Sequence, residues 1–169
     1  MNYAGIPVTH RKIAQSFHVF TGKAADKLNI DWNAAAKIGG TLIFLMGFKN
    51  LDVICSNLIK NGMNKNTPCA VVMRGTTSRQ KKIVGQLQDI SEKTNRASLV
   101  SPCIIVIGEV IKFNEQLDWY ERKPLFGKNI CITRSKAQSR EMCQKLLDLG
   151  AEVTEIHSIE IRYTSENIK

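Results

Sequence analysis

Two places in the 169-residue chain put a thioether or a bare glycine backbone at the end of an apolar run. The first is Thr41 to Gly47, Thr-Leu-Ile-Phe-Leu-Met-Gly, where Leu42 to Met46 are large and apolar without alternation. Such a run reads as a strand buried on both faces, and Gly47 lets the chain turn sharply at its carboxyl end. The second is Cys69-Ala-Val-Val-Met73, followed by Arg74-Gly75-Thr76-Thr77. Ligands of open α/β sheets sit beyond the carboxyl ends of strands. Met46-Gly47 and Gly75-Thr76 therefore stand where a ligand would be met. The plainer alternative is a pair of core strands closed by turn glycines. His10 and Arg11, at the end of Gly5-Ile-Pro-Val-Thr-His-Arg11, are candidate anion contacts, because Arg offers a rigid fork of donors matched to carboxylate. A solvated surface arginine is the competing reading.

The elements that must position these residues follow from periodicity. Ser16 to Thr21 is aromatic and β-branched and reads as a strand ended by Gly22, against a helical alternative through Ile13, Phe17 and Phe20. Ala34-Ala35-Ala36 can carry a short helix. Leu51, Ile54, Cys55, Leu58 and Ile59 recur at three- and four-residue steps and predict a helix from Asn50 to Met63, stopped at Asn61-Gly62. The order strand, helix, strand predicts a parallel pair with a right-handed crossover, and hence neighbouring tips at Met46-Gly47 and Gly75-Thr76. Lys81 to Leu87 reads as a further strand with a bulge or close approach at Gly85. Asp89 to Leu99 reads as a polar helix, and Cys103 to Gly108 as a third buried strand. Val110 to Phe113 is expected to continue as an edge strand toward Trp119, which would cover the end of the sheet. The pattern restarts at Pro124. A strand over Asn129–Thr133, a helix over Ser139–Leu149 and a strand from Glu152 to Ile161 make one βαβ unit, too small to bury a core alone.

Composition narrows the partners. Hydrophobic content is 43% and charged content 23%, ordinary for a soluble globular protein. No apolar run approaches the roughly 20 residues of a membrane span, and Met1 to Pro7 does not look like a signal peptide, so a cytoplasmic location is expected. The five cysteines form no Cys-x-x-Cys pair. Cys69, Cys103 and Cys131 sit in apolar strand-like runs as small hydrophobes, and no metal site is expected. A net charge of +9 points to an anionic partner or to a solvated basic surface. The basic residues form no block and do not alternate with aromatics, as a single-strand stacking platform would need. A nucleic-acid-binding or interaction module is the alternative class to an enzyme.

The ordered set of motifs goes further. Gly5-Ile-Pro-Val-Thr-His-Arg11, Thr21-Gly22, Leu45-Met46-Gly47, Thr67-Pro68-x-Ala70, Gly75-Thr76-Thr77-x-x-Gln80 and Gly108-Glu109-Val110 together resemble uroporphyrinogen-III C-methyltransferase. The likeness covers about residues 4 to 120 in one register. Gly127 to Arg134 and Leu149 to Val153 look like the first βαβ of uroporphyrinogen-III synthase, a lyase. The resemblance implies a domain boundary, with 1–122 as the second domain of the methylase and 123–169 as the opening of the synthase.

What the resemblance implies for fold is an α/β domain with a mixed five-stranded sheet and flanking helices, followed by a partial βαβ unit. For function it implies S-adenosylmethionine-dependent methylation of two pyrrole carbons of uroporphyrinogen III to precorrin-2, on the way to sirohaem and cobalamin. By motif, Met46 and Gly47 lie against the cofactor, Ala70 lines its adenine side, and the backbone of Gly75 and Thr76 approaches the adenosyl group. Arg11 corresponds to an arginine holding substrate carboxylates. No catalytic residue is identified. The chain lacks the family's glycine-rich cofactor loop, so a missing N-terminal domain and an inactive isolated chain are expected, as is a homodimer. The family usually has His after Thr-Gly, where this chain has Lys23.

Overall fold

The computed structural model describes residues 1–23 and 28–158, with only the backbone for 136 and 137. The chain divides into two units, Met1–Trp119 and a second from Tyr120 onward.

In the first unit the elements are β1 (Phe17–Thr21), α1 (Trp32–Lys37), β2 (Thr41–Leu45), α2 (Leu51–Lys60), β3 (Pro68–Met73), β4 (Lys81–Gln86), α3 (Ile90–Arg96) and β5 (Cys103–Ile107). The five strands form one mixed sheet in the order β1-β2-β5-β3-β4. The three central strands are the unbroken apolar runs, and each is buried on both faces, as such runs require. The outer strands β1 and β4 mix exposed and covered positions.

Alternation along the central strands divides the core. Leu42, Phe44, Val71, Met73, Ile105 and Ile107 face one layer, where α2 supplies Leu51, Ile54, Cys55 and Leu58. That α2 face is the one its three- and four-residue spacing predicts. Ala70, Val72 and Val106 point the other way and pack with Ala4, Ile6, Ala14, Val110 and Ile111. Each large aliphatic side chain so buried stabilises the fold by about 1.5–3 kcal/mol relative to exposure. Lys82 ties this second layer together: its ammonium donates to the Ala4 carbonyl at 2.9 Å and pairs with Asp118 at 3.2 Å.

Three expectations are corrected. β2 and β3 run in the same direction but are not neighbours, because β5 lies between them and pairs antiparallel with both. Their tips share one end of the sheet, roughly 10 Å apart at the usual strand spacing. Residues Glu109–Phe113 form a 3-10 helix instead of an edge strand; their apolar side chains cap the second layer, and Gly108 makes the bend at φ 145°. Trp119 is exposed and packs its ring on Tyr3, centroids 5.4 Å apart, so it does not seal the sheet. At Gly85 the expected close approach is present without a bulge, since β3 and β4 pair in unbroken register.

In the second unit β6 (Asn129–Ile132) and β7 (Glu152–Glu155) pair parallel, joined by α4 (Lys136–Asp148). The helix starts three residues earlier than its apolar spacing indicates. Met142 and Leu147 on it remain exposed, as one small βαβ unit with little to bury would leave them. Cys131 is exposed and not packed as a hydrophobe, whereas Cys69 and Cys103 are buried. The final strand is expected to reach Ile161; the portion from 159 on lies outside the described residues. Among the described residues no helix is long and apolar enough to cross a membrane.

Candidate functional site

Three strand exits meet at one end of the sheet. Thr21-Gly22 leaves β1, Met46-Gly47 leaves β2 and Arg74-Gly75-Thr76 leaves β3. The first two are locked together by glycine. A Cβ on Gly22 would fall 2.5 Å from the Gly47 Cα, and one on Gly47 would fall 2.9 Å from Ile54 Cδ1. The Gly22 N–H donates to the Leu45 carbonyl at 2.7 Å, and the Asn50 side-chain amide donates to the Gly22 carbonyl at 2.7 Å. Gly47 is thus a buried packing glycine. It takes an ordinary φ of −93°, and the left-handed backbone at this turn falls on Met46, at φ 56°. The Met46 side chain is thrown outward and is 61% exposed.

The β3 exit is strained as well. Arg74 and Thr76 have φ of 47° and 72°, so among the described residues three of the four left-handed non-glycine residues stand at these two tips. A β-branched residue in this region is a genuine outlier, and such strain persists only where surrounding bonds over-determine it. Here they do. The Arg74 N–H donates to the Pro102 carbonyl at 3.0 Å, and the Thr77 hydroxyl donates to the Arg74 carbonyl at 2.8 Å. The Thr76 N–H donates to Gln80 Oε1 at 2.7 Å, while Gln80 Nε2 donates to the Tyr3 carbonyl at 3.0 Å. Gln80 is only 5% exposed, so its amide acts as an internal strut.

Gly75 differs from Gly47. A Cβ there would meet only Val72 and Gln80, at 3.6 and 3.7 Å, which is ordinary contact. Its φ is not left-handed. The packing of this unit does not require glycine at 75, and the exposed backbone is open to a close approach from outside.

The other predicted residues lie elsewhere. Ala70 is in mid-β3, fully buried in the second apolar layer. Arg11 is exposed in the turn closed by the His10–Ala14 bridge before β1, and no hydrogen bond or ion pair ties its guanidinium to the tips. The His10 ring stacks on Phe113 at 4.5 Å. Lys23 is exposed directly after the β1 exit. What sequence reasoning missed is the strut role of Gln80 and the left-handed backbone at 46, 74 and 76. Gln80 was visible only as a motif letter, and positive φ on a non-glycine residue leaves no signal in composition.

The buried thiols Cys69 and Cys103 are held away from the reactive thiolate form. Burial pushes Cys103 up to about 11 and raises Cys69, with the Cys55 thiol beside it adding to the effect. Among the described residues no group of three His, Cys, Asp or Glu could hold a metal.

A mixed five-stranded sheet with flanking helices, its strained loops gathered at one end, defines an α/β domain. Residues 1–91 match the family of Tetrapyrrole (Corrin/Porphyrin) Methylases, over half of the chain, and the chain belongs to that family. It is 38% identical over 169 residues to the "Porphyrin biosynthesis protein HemD" of Ruminiclostridium josui, covering 99% of this chain and 34% of that protein. It is 39% identical over 158 residues to a uroporphyrinogen-III C-methyltransferase of Bacillus subtilis, covering 90% and 32%. The chain therefore spans about a third of the length of the curated relatives it matches. Among solved structures, a uroporphyrin-III C-methyl transferase from Thermus thermophilus complexed with S-adenyl homocysteine matches at a TM-score of 0.57 and 25% identity, over 65% of this chain and 49% of that one.

Proposed function

We propose that this chain supplies one wall of the active site of an S-adenosylmethionine-dependent C-methyltransferase that methylates two pyrrole carbons of uroporphyrinogen III to give precorrin-2, for sirohaem and cobalamin. The observation that carries the reading is the pair of strained tips at one sheet end, with Met46 extended outward and an uncrowded Gly75 backbone beside it. The names of the relatives support it.

When bound, S-adenosylmethionine supplies an electrophilic methyl group to an electron-rich pyrrole carbon. The residues of this chain position and shield. Met46 and Leu45 present an apolar floor that excludes water. Gly75 and Thr76 offer main-chain groups on a loop fixed by Gln80, so little ordering cost remains on binding. Gly47 keeps the Met46 turn in place by packing on Gly22 and Ile54. Ala70 backs the site from within the core. Arg11 is the contact for a substrate carboxylate. The tips carry no carboxylate or imidazole, and the ring proton is taken by a base from another domain.

The reading extends to organisation. Residues 1–122 are the methylase portion and 123–169 the opening of a uroporphyrinogen-III synthase-like domain. The glycine-rich half of the cofactor cleft comes from a preceding domain, and the assembled enzyme is a cytoplasmic homodimer. The test is a chimera. The Bacillus subtilis relative, with its matching segment replaced by residues 4–120 of this chain, is assayed for methylation of uroporphyrinogen III. Turnover supports the proposal. A folded chimera that binds S-adenosylhomocysteine yet makes no methylated product refutes the assignment of substrate.

A further inference from the structure

Beside the β3 tip is a cavity of about 480 Å³ that the cofactor residues do not use. It lies between the Arg74–Lys81 loop and the Ser98–Val100 segment that follows α3. Arg74, Arg79 and Lys81 line it, with Met73 and Val100 as an apolar floor and no Asp or Glu in the lining. None of the three cationic head groups has an ion pair or hydrogen bond among the described residues. Arg74 is half-buried.

Three like charges around one small cavity repel one another, and an oxyanion placed among them removes that repulsion. The loop is preorganised for such a ligand. The Arg79 N–H donates to the Thr77 hydroxyl at 3.1 Å, and the same hydroxyl donates to the Arg74 carbonyl at 2.8 Å, so the two arginines are held by one bridge. Lys81 is fixed by its pairing opposite Met73 in the β3–β4 ladder. Ser98 on the facing wall is held at φ 53°, as Arg74 is at 47°. The floor is closed by the Val100 N–H, which donates to Met73 Sδ at 3.4 Å. Cavities of this size hold a small-molecule arm and not a macromolecule.

We propose that this cavity is an oxyanion site for the carboxylate groups of a polycarboxylate ligand, with Arg74, Arg79 and Lys81 as its cations. The choice of carboxylate over phosphate rests on the proposed methyl acceptor; the site itself does not.

The test titrates the full chain at low ionic strength with tricarballylate, with inorganic phosphate and with the neutral propane-1,2,3-tricarboxamide, following backbone amide shifts. The expected result is saturable tricarballylate binding that perturbs amides 74–81 and 98–100, with phosphate at least tenfold weaker and the triamide silent. The double variant Arg79→Ala/Lys81→Ala, both exposed positions, is expected to weaken binding at least tenfold with an unchanged melting temperature. Absent saturation, perturbation elsewhere, or unchanged affinity in the double variant overturns the site. Phosphate binding as tight as tricarballylate overturns the carboxylate assignment. The chimera with the Bacillus subtilis relative is assayed in parallel. Carboxylate binding by the chain with a folded chimera that makes no methylated product retains the pocket and removes the functional reading; an active chimera without carboxylate binding at 74–81 removes only the pocket.

Discussion

Gly47 and Gly75 occupy equivalent places after β2 and β3 but are glycine for different reasons. Gly47, with Gly22, is needed so that two backbones can touch; a Cβ on Gly22 would fall 2.5 Å from main-chain atoms that cannot swing away. Gly22→Ala is therefore expected to cost about 2–3 kcal/mol, the upper range for overpacking, read from urea unfolding. Gly75→Ala meets only ordinary contacts, so its stability should stay within about 0.5 kcal/mol of the parent, while any ligand that approaches the backbone there is lost. Met46 supplies a third contrast. Its left-handed backbone costs about 1–2 kcal/mol in a non-glycine residue, part of which Met46→Gly returns, raising the unfolding midpoint while removing the thioether. Gln80→Leu removes two part-buried hydrogen bonds and leaves the Thr76 N–H and the Tyr3 carbonyl without that partner. The expected loss is about 1–2 kcal/mol, with faster amide exchange confined to residues 74–80.

At the scale of elements, the local signals in the sequence were readable and the order of strands was not. The runs Leu42–Met46, Cys69–Met73 and Cys103–Ile107 announce buried strands because no polar residue interrupts them. The same property hides which run lies in the middle: β5 comes last in this unit but inserts between β2 and β3, and three equally apolar runs cannot rank themselves. The stretch 109–113 misled for a related reason. Val110, Ile111 and Phe113 are as strand-prone as a true edge, yet Val110 and Ile111 satisfy burial by packing with Ala70 and Val72 from a 3-10 turn, and Phe113 stacks on His10. The Asp89 carboxylate, just before α3, gives a pH prediction. Desolvation acts to raise the Asp89 carboxyl, but the Gln86 N–H at 2.7 Å and Lys93 at 2.8 Å outweigh it and hold it below its ordinary value. A depressed carboxylate stabilises the fold above its unfolded pKa, near about 4, and that contribution is lost as pH falls through the folded value. The stability gap between the parent and Asp89→Asn is therefore expected to be present at pH 7 and to narrow by pH 3. A gap independent of pH would contradict this.

At the scale of the whole molecule, the family was legible because its motifs are strung along the chain in one register, each weak alone. The candidate site was legible only in part. Met46 and Gly75 stand at one end of the sheet, on tips separated by β5, whereas Ala70 is in the core and Arg11 is not tied to the tips. A motif marks which residues matter to a fold and its site together, and it does not separate a residue that touches a ligand from one that supports the residue behind it. On the proposed organisation the glycine-rich wall of the cleft lies in another domain, so the chain alone is expected to show no methylation of uroporphyrinogen III with S-adenosylmethionine; measurable turnover would contradict that organisation.

The most direct test of the central claim is a titration of the isotope-labelled chain with S-adenosylhomocysteine, monitored at each backbone amide and at the Met46 methyl group. The account predicts shifts concentrated at residues 45–47 and 74–77, with the Met46 methyl among the largest, and their disappearance in Gly75→Ala. Shifts that spare both tips, or that persist unchanged in that variant, would contradict it.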